Sequence, residues 1–157
     1  MELDTPRLKL ILQTREEVEA MIAALSDADR AQVSPVWLAG MRAAVPGDPW
    51  AFAFTMALRD TRAPIGTCCF KGPPVDGAVE IAYSTNPDEQ GKGYATEAAR
   101  ALVEYAAMSG RINVVRAHTL QEAPASQRVL QKAGFTYVGV VVDPEDGPVA
   151  RFERNLA

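Results

Sequence analysis

The stretch Gln90-Gly91-Lys92-Gly93-Tyr94-Ala95 places two glycines and a lysine where a strand-like run gives way to a helical one. A helix leaves its first N–H groups without intrahelical partners, and its partly positive end attracts phosphate oxygens. Glycine at 91 and 93 lets the backbone approach such an anion, or adopt a turn that a side chain forbids. Lys92 either adds charge or points to solvent. A bare tight connector would use the same residues, so spacing alone leaves both readings open. Two kinds of phosphate site are excluded by particular residues. A nucleotide P-loop needs Gly-Lys followed by Ser or Thr, and here Gly93 follows Lys92. A dinucleotide fingerprint needs a third glycine where Thr96 stands, and an acidic residue at the end of the next strand, which reads HTL.

Glu80 interrupts an otherwise apolar strand, VEIAY, just ahead of this turn. Burial makes a carboxylate a better proton acceptor, which makes Glu80 the candidate general base. A structural carboxylate paired with an arginine, or one facing solvent at the strand's start, fits the same pattern. His118, the one histidine, lies near the end of VVRAHTL and reads as a packing or capping residue rather than one reaching a cleft. Cys68 and Cys69 are adjacent in a strand-like run, so their side chains face opposite ways and a disulfide between them would be strained. Without spaced Cys or His pairs no metal site is expected. Neither thiol has an adjacent base or helix N-terminus, so both read as reduced packing residues.

The elements that hold these groups can be traced along the chain. LKLILQ (8–13) reads as a first strand, and Thr14 with Glu17 makes a capping box for a helix ending near Leu25. A short helix from Pro35 to Ala44 and a proline-rich loop follow, the least regular segment and one suited to shaping a pocket. Trp37 and Trp50, with Pro35 and Met41, would wall that pocket or anchor the core. WAFAFTMALRD, IGTCCF and VEIAYST read as three strands of an antiparallel meander. From Ala95 the residues Ala98, Ala99, Leu102, Val103 and Ala106 fall on one helical face with small side chains. NVVRAHTL adds a strand, APASQRVLQKAGF a short helix stopped at Gly134, and a hairpin around PEDG closes the chain.

Across 157 residues, 48% hydrophobic content supplies one core, and no repeat or linker divides the chain, so residues 1–157 read as one domain. Sixteen Lys plus Arg against 20 Asp plus Glu give a net charge of −4 with no basic block, which argues against nucleic acid. Apolar stretches fall far short of the roughly 20 residues that cross a bilayer, and the acidic opening lacks a signal-peptide pattern. No membrane partner and a cytoplasmic location are therefore expected.

Several of these features occur together in one family. Gln90, Gly93 and Ala95 match its pattern of Gln or Arg, two free positions, Gly, one free position, then Gly or Ala. EIAY stands before that pattern, GYATEAARAL continues it, ASQRVLQKAGF lies downstream, and DTPRLKL opens the chain. In these respects the sequence resembles the GNAT superfamily of acetyl-CoA-dependent acyltransferases, in the RimJ/RimL branch that acetylates ribosomal-protein N-termini. The resemblance covers nearly the whole chain.

It implies an α/β fold: a mixed, mostly antiparallel sheet of six or seven strands with helices on both faces. It also implies acetyl-CoA as co-substrate, with no metal, and a primary amine as acceptor, either a protein N-terminus or a small molecule. The backbone N–H groups of Gln90, Gly91, Lys92, Gly93, Tyr94 and Ala95, with Thr96 beside them, would bind the diphosphate. A splayed strand through Ala82, Tyr83 and Ser84 to Thr85 would pair with the pantetheine arm, while the rings of Tyr83 and Tyr94 pack. Direct transfer needs a neutral amine and a proton acceptor, for which Glu80 is placed. Ordinary values of about 7.7 to 8.0 for an α-amine and about 10.4 for lysine make the lysine roughly 3 to 4 kcal/mol costlier to deprotonate.

Two residues depart from the family. Leu130 stands where many members have a tyrosine acid, and the branch's substitute serine matches Ser126, which would otherwise cap its helix. Ala123 stands where the branch has an asparagine contacting the cofactor arm, leaving Gln121 or Gln127 to compensate. These departures also admit a non-catalytic acyl-CoA-binding module. Analogy raises a homodimer, and no heptad seam argues for one.

Overall fold

The computed structural model describes residues 1–156. Eight strands form one sheet: β1 (Glu2–Asp4), β2 (Leu8–Leu12), β3 (Phe54–Leu58), β4 (Pro64–Phe70), β5 (Ala78–Thr85), β6 (Val114–Thr119), β7 (Thr136–Asp143) and β8 (Gly147–Asn155). Five α-helices accompany it: α1 (Arg15–Ala23), α2 (Asp27–Ala31), α3 (Pro35–Ala43), α4 (Tyr94–Met108) and α5 (Pro124–Lys132). The spatial order is β1-β2-β3-β4-β5-β6-β8-β7, and β5–β6 is the one parallel pair. The meander is present as β3-β4-β5, and the closing hairpin as β7-β8.

The sheet has eight strands where the sequence suggested six or seven. The additional one, β1, is a three-residue polar edge strand with no apolar alternation to betray it. It is tied to β2 by Lys9, whose ammonium lies 3.3 Å from Glu2 and 3.0 Å from Asp4. The short α2, DADRA, buries none of its residues and starts from a Ser26 cap, so it also lacked an apolar stripe. Elsewhere local chemistry held. Thr14 and Glu17 form the reciprocal capping box of α1. Gly134, at φ 90°, follows the end of α5, where Phe135 N donates to Leu130 O and Gly134 N to Gln131 O, a Schellman closure.

The core lies between α4 and one face of the sheet. Leu8, Leu10 and Leu12 alternate inward from β2, each fully buried side chain contributing about 1.5 to 3 kcal/mol. Ala98, Ala99, Leu102, Val103 and Ala106 of α4 are buried, and the helix packs against β2, β4 and β5. Trp50 is a core anchor rather than a pocket wall: its ring lies 4.6 Å from Phe70 and 5.6 Å from Tyr105 of α4. Phe70 pairs with Ile81 across β4–β5, which places Ile81 under α4. By strand alternation Glu80 and Ala82 belong to the opposite face.

Candidate active site

Strand pairing creates a slot. β5 and β6 pair only from Ala78↔Val114 to Ile81↔Ala117. Beyond that, Ala82 to Thr85 remain paired to β4 on one side, and His118 and Thr119 to β8 on the other. The two parallel strands therefore part company, exposing backbone edges between them. Tyr83 closes the far end: its hydroxyl lies 3.0 Å from Ser126 O, to which it can donate, and 3.0 Å from Ser126 Oγ. Burial pushes the Tyr83 phenol up and the Ser126 hydrogen bond partly opposes this, so the phenol keeps its proton near neutral pH. Ser126 is the third residue of α5 and caps nothing.

At the end of β5 the chain passes through a single 3₁₀ turn, Pro87–Glu89, to the glycines. Gly91 and Gly93 have φ of 77° and 86°, and Gly93 is the left-handed N-cap of α4 with no side chain closing the helix end. Among the described residues no acceptor reaches the amides of Gly91, Lys92, Gly93, Tyr94, Ala95 or Thr96. The first bonded amide is that of Glu97, to Gly93 O at 3.1 Å. Gln90 differs from the sequence expectation, because its N–H is directed at Pro87 O, 3.4 Å away, and its side chain donates to Thr85 O at 3.1 Å. It locks the turn, and the free run starts one residue later and reaches Thr96. The Lys92 ammonium lies 3.0 Å from Glu89 at the surface. Ser84 is exposed and Ala82 half-buried along the slot.

Sequence reasoning missed a clasp behind these amides. Thr5 Oγ1 donates to Glu97 Oε1 at 2.7 Å, Arg7 N donates to the same oxygen at 3.1 Å, and Arg7 Nε pairs with Glu97 Oε2. The Arg7 guanidinium also lies over the Tyr94 ring, 4.5 Å from its centroid. Burial pushes the Glu97 carboxyl up, but the hydrogen bonds from Thr5 and Arg7, with the Arg7 charge, outweigh it and hold it below its ordinary value. A carboxylate in the first turns of α4 is thereby neutralised instead of opposing an anion there. The signal was the pairing of DTPRL with TEA, two segments far apart in sequence.

On the face away from α4, a cleft of about 290 Å³ holds Glu80, Asp76, Arg116, His118 and Arg151. Glu80 Oε2 lies 3.4 Å from Lys71 Nζ and 2.8 Å from His118 Nδ1. The second contact lies off the N–H direction, so it is a close approach rather than an aligned hydrogen bond. Glu80 Oε1 has no protein donor among the described residues. His118 is thus a cleft residue, contrary to its reading as packing or capping. Its Nε2 accepts from Arg151 Nε at 3.0 Å, which leaves the ring proton on Nδ1, without an aligned acceptor. Burial lowers the Lys71 pKa, but the charge and hydrogen bond of Glu80, with the charge of Asp143, together outweigh this and leave it raised. Burial raises both thiols, Cys68 and Cys69, which suits packing roles.

The two departures take clear forms. Leu130, a hydrocarbon side chain, is completely buried in the core and offers no proton donor. Ala123 is the N-cap of α5 with no side-chain bond. Gln127 does not replace the missing amide at the slot, because its Nε2 donates to Leu120 O at 3.3 Å and Gln121 O at 3.2 Å and so holds the loop.

A family model for the acetyltransferase (GNAT) domain matches residues 2–136. The chain belongs to the GNAT acetyltransferases. Its family is the RimJ/RimL type, as the sequence resemblance implied. A sequence relative, the uncharacterized N-acetyltransferase p20 of Bacillus licheniformis, is 31% identical over 93 residues, 59% of this chain and 52% of the relative. The chain spans about half the length of the curated relatives it matches. Among solved structures, RimL, described as a ribosomal L7/L12 alpha-N-protein acetyltransferase in complex with coenzyme A, superposes with a TM-score of 0.70 at 19% identity, covering 99% of this chain and 98% of that one. The aminoglycoside acetyltransferase AAC(6')-Ib in complex with coenzyme A gives 0.67 at 20% identity, covering 94% of each. These likenesses establish the GNAT fold. Among the described residues no helix is long and apolar enough to cross a membrane, and no His, Cys, Asp and Glu cluster could hold a metal ion.

Proposed function

We propose that this GNAT protein transfers an acetyl group from acetyl-CoA directly to a primary amine. The observation that carries the reading is the run of unpaired amides from Gly91 to Thr96, set at a helix N-terminus beside the parted edges of β5 and β6. The diphosphate fits the amides, and the pantetheine arm fits the free edge of Ala82 to Thr85. RimL and AAC(6')-Ib, both solved with coenzyme A, support that fit.

When bound, acetyl-CoA supplies an activated thioester. The acceptor nitrogen forms the new C–N bond as the C–S bond breaks. Glu80 takes the amine's proton on Oε1, while Lys71 and His118 steady Oε2. Ser126 gives its hydroxyl proton to the departing thiolate as it takes one from Tyr83, 3.0 Å away, and the phenol regains its proton from solvent, so that it is protonated again before the next turnover. No covalent bond to the enzyme is needed, consistent with two thiols, one buried and one half-buried, both raised by burial and so protonated.

The second reading, an acyl-CoA-binding module without turnover, draws on buried Leu130 and the side-chain-poor cap at Ala123. Release of CoA thiol in the presence of a panel of amines and N-terminal peptides separates the two. Turnover lost in Glu80→Gln supports the enzyme, and tight CoA binding without product across the panel supports the module.

A further inference from the structure

The cleft around Glu80 carries more charge than proton abstraction requires, and its pairing is uneven. Arg116 and Glu153 neutralise each other, Nε to Oε2 at 2.6 Å. Lys71 lies against Glu80. Arg151, in the next cross-strand row beside His118, has no carboxylate partner among the described residues. Its one protein hydrogen bond goes from Nε to a neutral imidazole nitrogen, which leaves both terminal nitrogens of the guanidinium without protein partners. Asp143, the acid of the neighbouring hairpin, turns its Oδ1 to the amides of Glu145 and Asp146, at 2.8 and 2.9 Å.

A planar guanidinium held by its Nε presents its remaining N–H groups as a fork, which matches a carboxylate. It also repels a bare ammonium approaching Glu80. Asp76 on the same cleft wall offsets that repulsion in part, but an acceptor with no acid group leaves the guanidinium fork unmatched. One that brings an anion beside its amine satisfies both ends at once. The imidazole of His118 is the spacer between the two recognition points, and one ring's width suits a molecule of amino-acid size.

We propose that Arg151 reads a carboxylate on the acceptor, and that the acceptor class is a small amino acid rather than a polyamine, an aminoglycoside or a protein N-terminus. This rests on the acetyl-transfer reading of the same site. The arrangement assigns the amine to Glu80 Oε1 and the acid to the Arg151 fork. His118 holds the two at a fixed distance.

The test compares matched acceptors: amino acids, their carboxamides and their decarboxylated amines, with polyamines and N-terminal peptides alongside. Release of CoA thiol gives kcat/KM for each. The expected result is a preference of tenfold or more for carboxylates over matched carboxamides, carried mainly by acceptor KM. In Arg151→Gln the carboxylate-to-carboxamide ratio falls to about one, with the KM for acetyl-CoA unchanged. Because the carboxylate-to-carboxamide ratio is read first in the unaltered protein, a poorly folding variant does not shield the proposal. Turnover of peptides or plain amines with no carboxylate preference overturns it while leaving the acetyltransferase reading intact. A preference that survives in Arg151→Gln also overturns it. CoA binding without turnover of any acceptor removes both readings together.

Discussion

Replacing Gly93 with alanine tests whether the amides after the glycine turn carry the cofactor. Gly93 has φ 86°, and a left-handed conformation costs an L-residue roughly 1 to 2 kcal/mol. Gly47, in a surface loop at φ 82° with nothing within 4 Å of an added Cβ, incurs the same backbone cost and so serves as the control. In a chain of this size about 1 kcal/mol corresponds to roughly 2 to 4 °C, so both variants should melt about 2 to 8 °C lower. Only at Gly93 does the added Cβ meet anything relevant: it comes within 3.0 Å of Arg7 Nη2, beside the unpaired amides. Loss of one charge-assisted amide contact is worth about 1.5 to 3 kcal/mol, or at least tenfold in affinity. Titration calorimetry with CoA should show that loss in Gly93→Ala alone. Pantetheine, which lacks the diphosphate, should bind both variants equally. CoA affinity in Gly93→Ala equal to that in Gly47→Ala would refute the reasoning.

Three further outcomes are expected. Glu80→Gln should lower kcat by roughly 10² to 10⁴ with little change in CoA affinity, since it removes a proton acceptor and not a cofactor contact; an unchanged kcat in initial-rate assays would exclude Glu80 as the base. Ser126→Ala and Tyr83→Phe should each slow turnover on the order of 10²-fold, and the double variant should be scarcely slower than either, because they act in one relay; additive losses would separate them. Glu97 has a folded-state pKa below its ordinary value, so its stabilisation is full above the ordinary carboxylate range and disappears as pH falls through the folded value. The Tm difference between the unaltered protein and Glu97→Gln should therefore be wide at pH 7 and shrink toward pH 3, and a constant difference would show that the clasp is not ionic.

Legibility in the sequence followed the range of the interaction. The α1 capping box, the α4 stripe and the Gly134 closure are local, and periodicity or turn chemistry exposed them. Strand β1 and helix α2 have no apolar pattern, because neither buries a side chain deeply, so they stayed hidden. The glycine turn was legible as a break before a helix that leaves amides free, but the inward hydrogen bond of Gln90 N–H was not, since it depends on the 3₁₀ turn before it. His118 shows the limit most clearly. Its role follows from a parallel β5–β6 pairing that places residues 80 and 118 on one face, and from an Arg151 delivered by a third strand. Nothing within VVRAHTL encodes either neighbour. The clasp of Thr5, Arg7 and Glu97 likewise spans about ninety residues of chain.

The most direct measurement is an amide-resolved NMR titration with CoA, run in parallel with pantetheine. CoA should move the N–H resonances of Gly91, Gly93, Tyr94, Ala95 and Thr96 strongly downfield while leaving Gln90 N–H, already directed at Pro87, much less changed. Pantetheine should leave all of them in place. CoA binding that saturates without shifting those amides would contradict the assignment of the diphosphate to the start of α4.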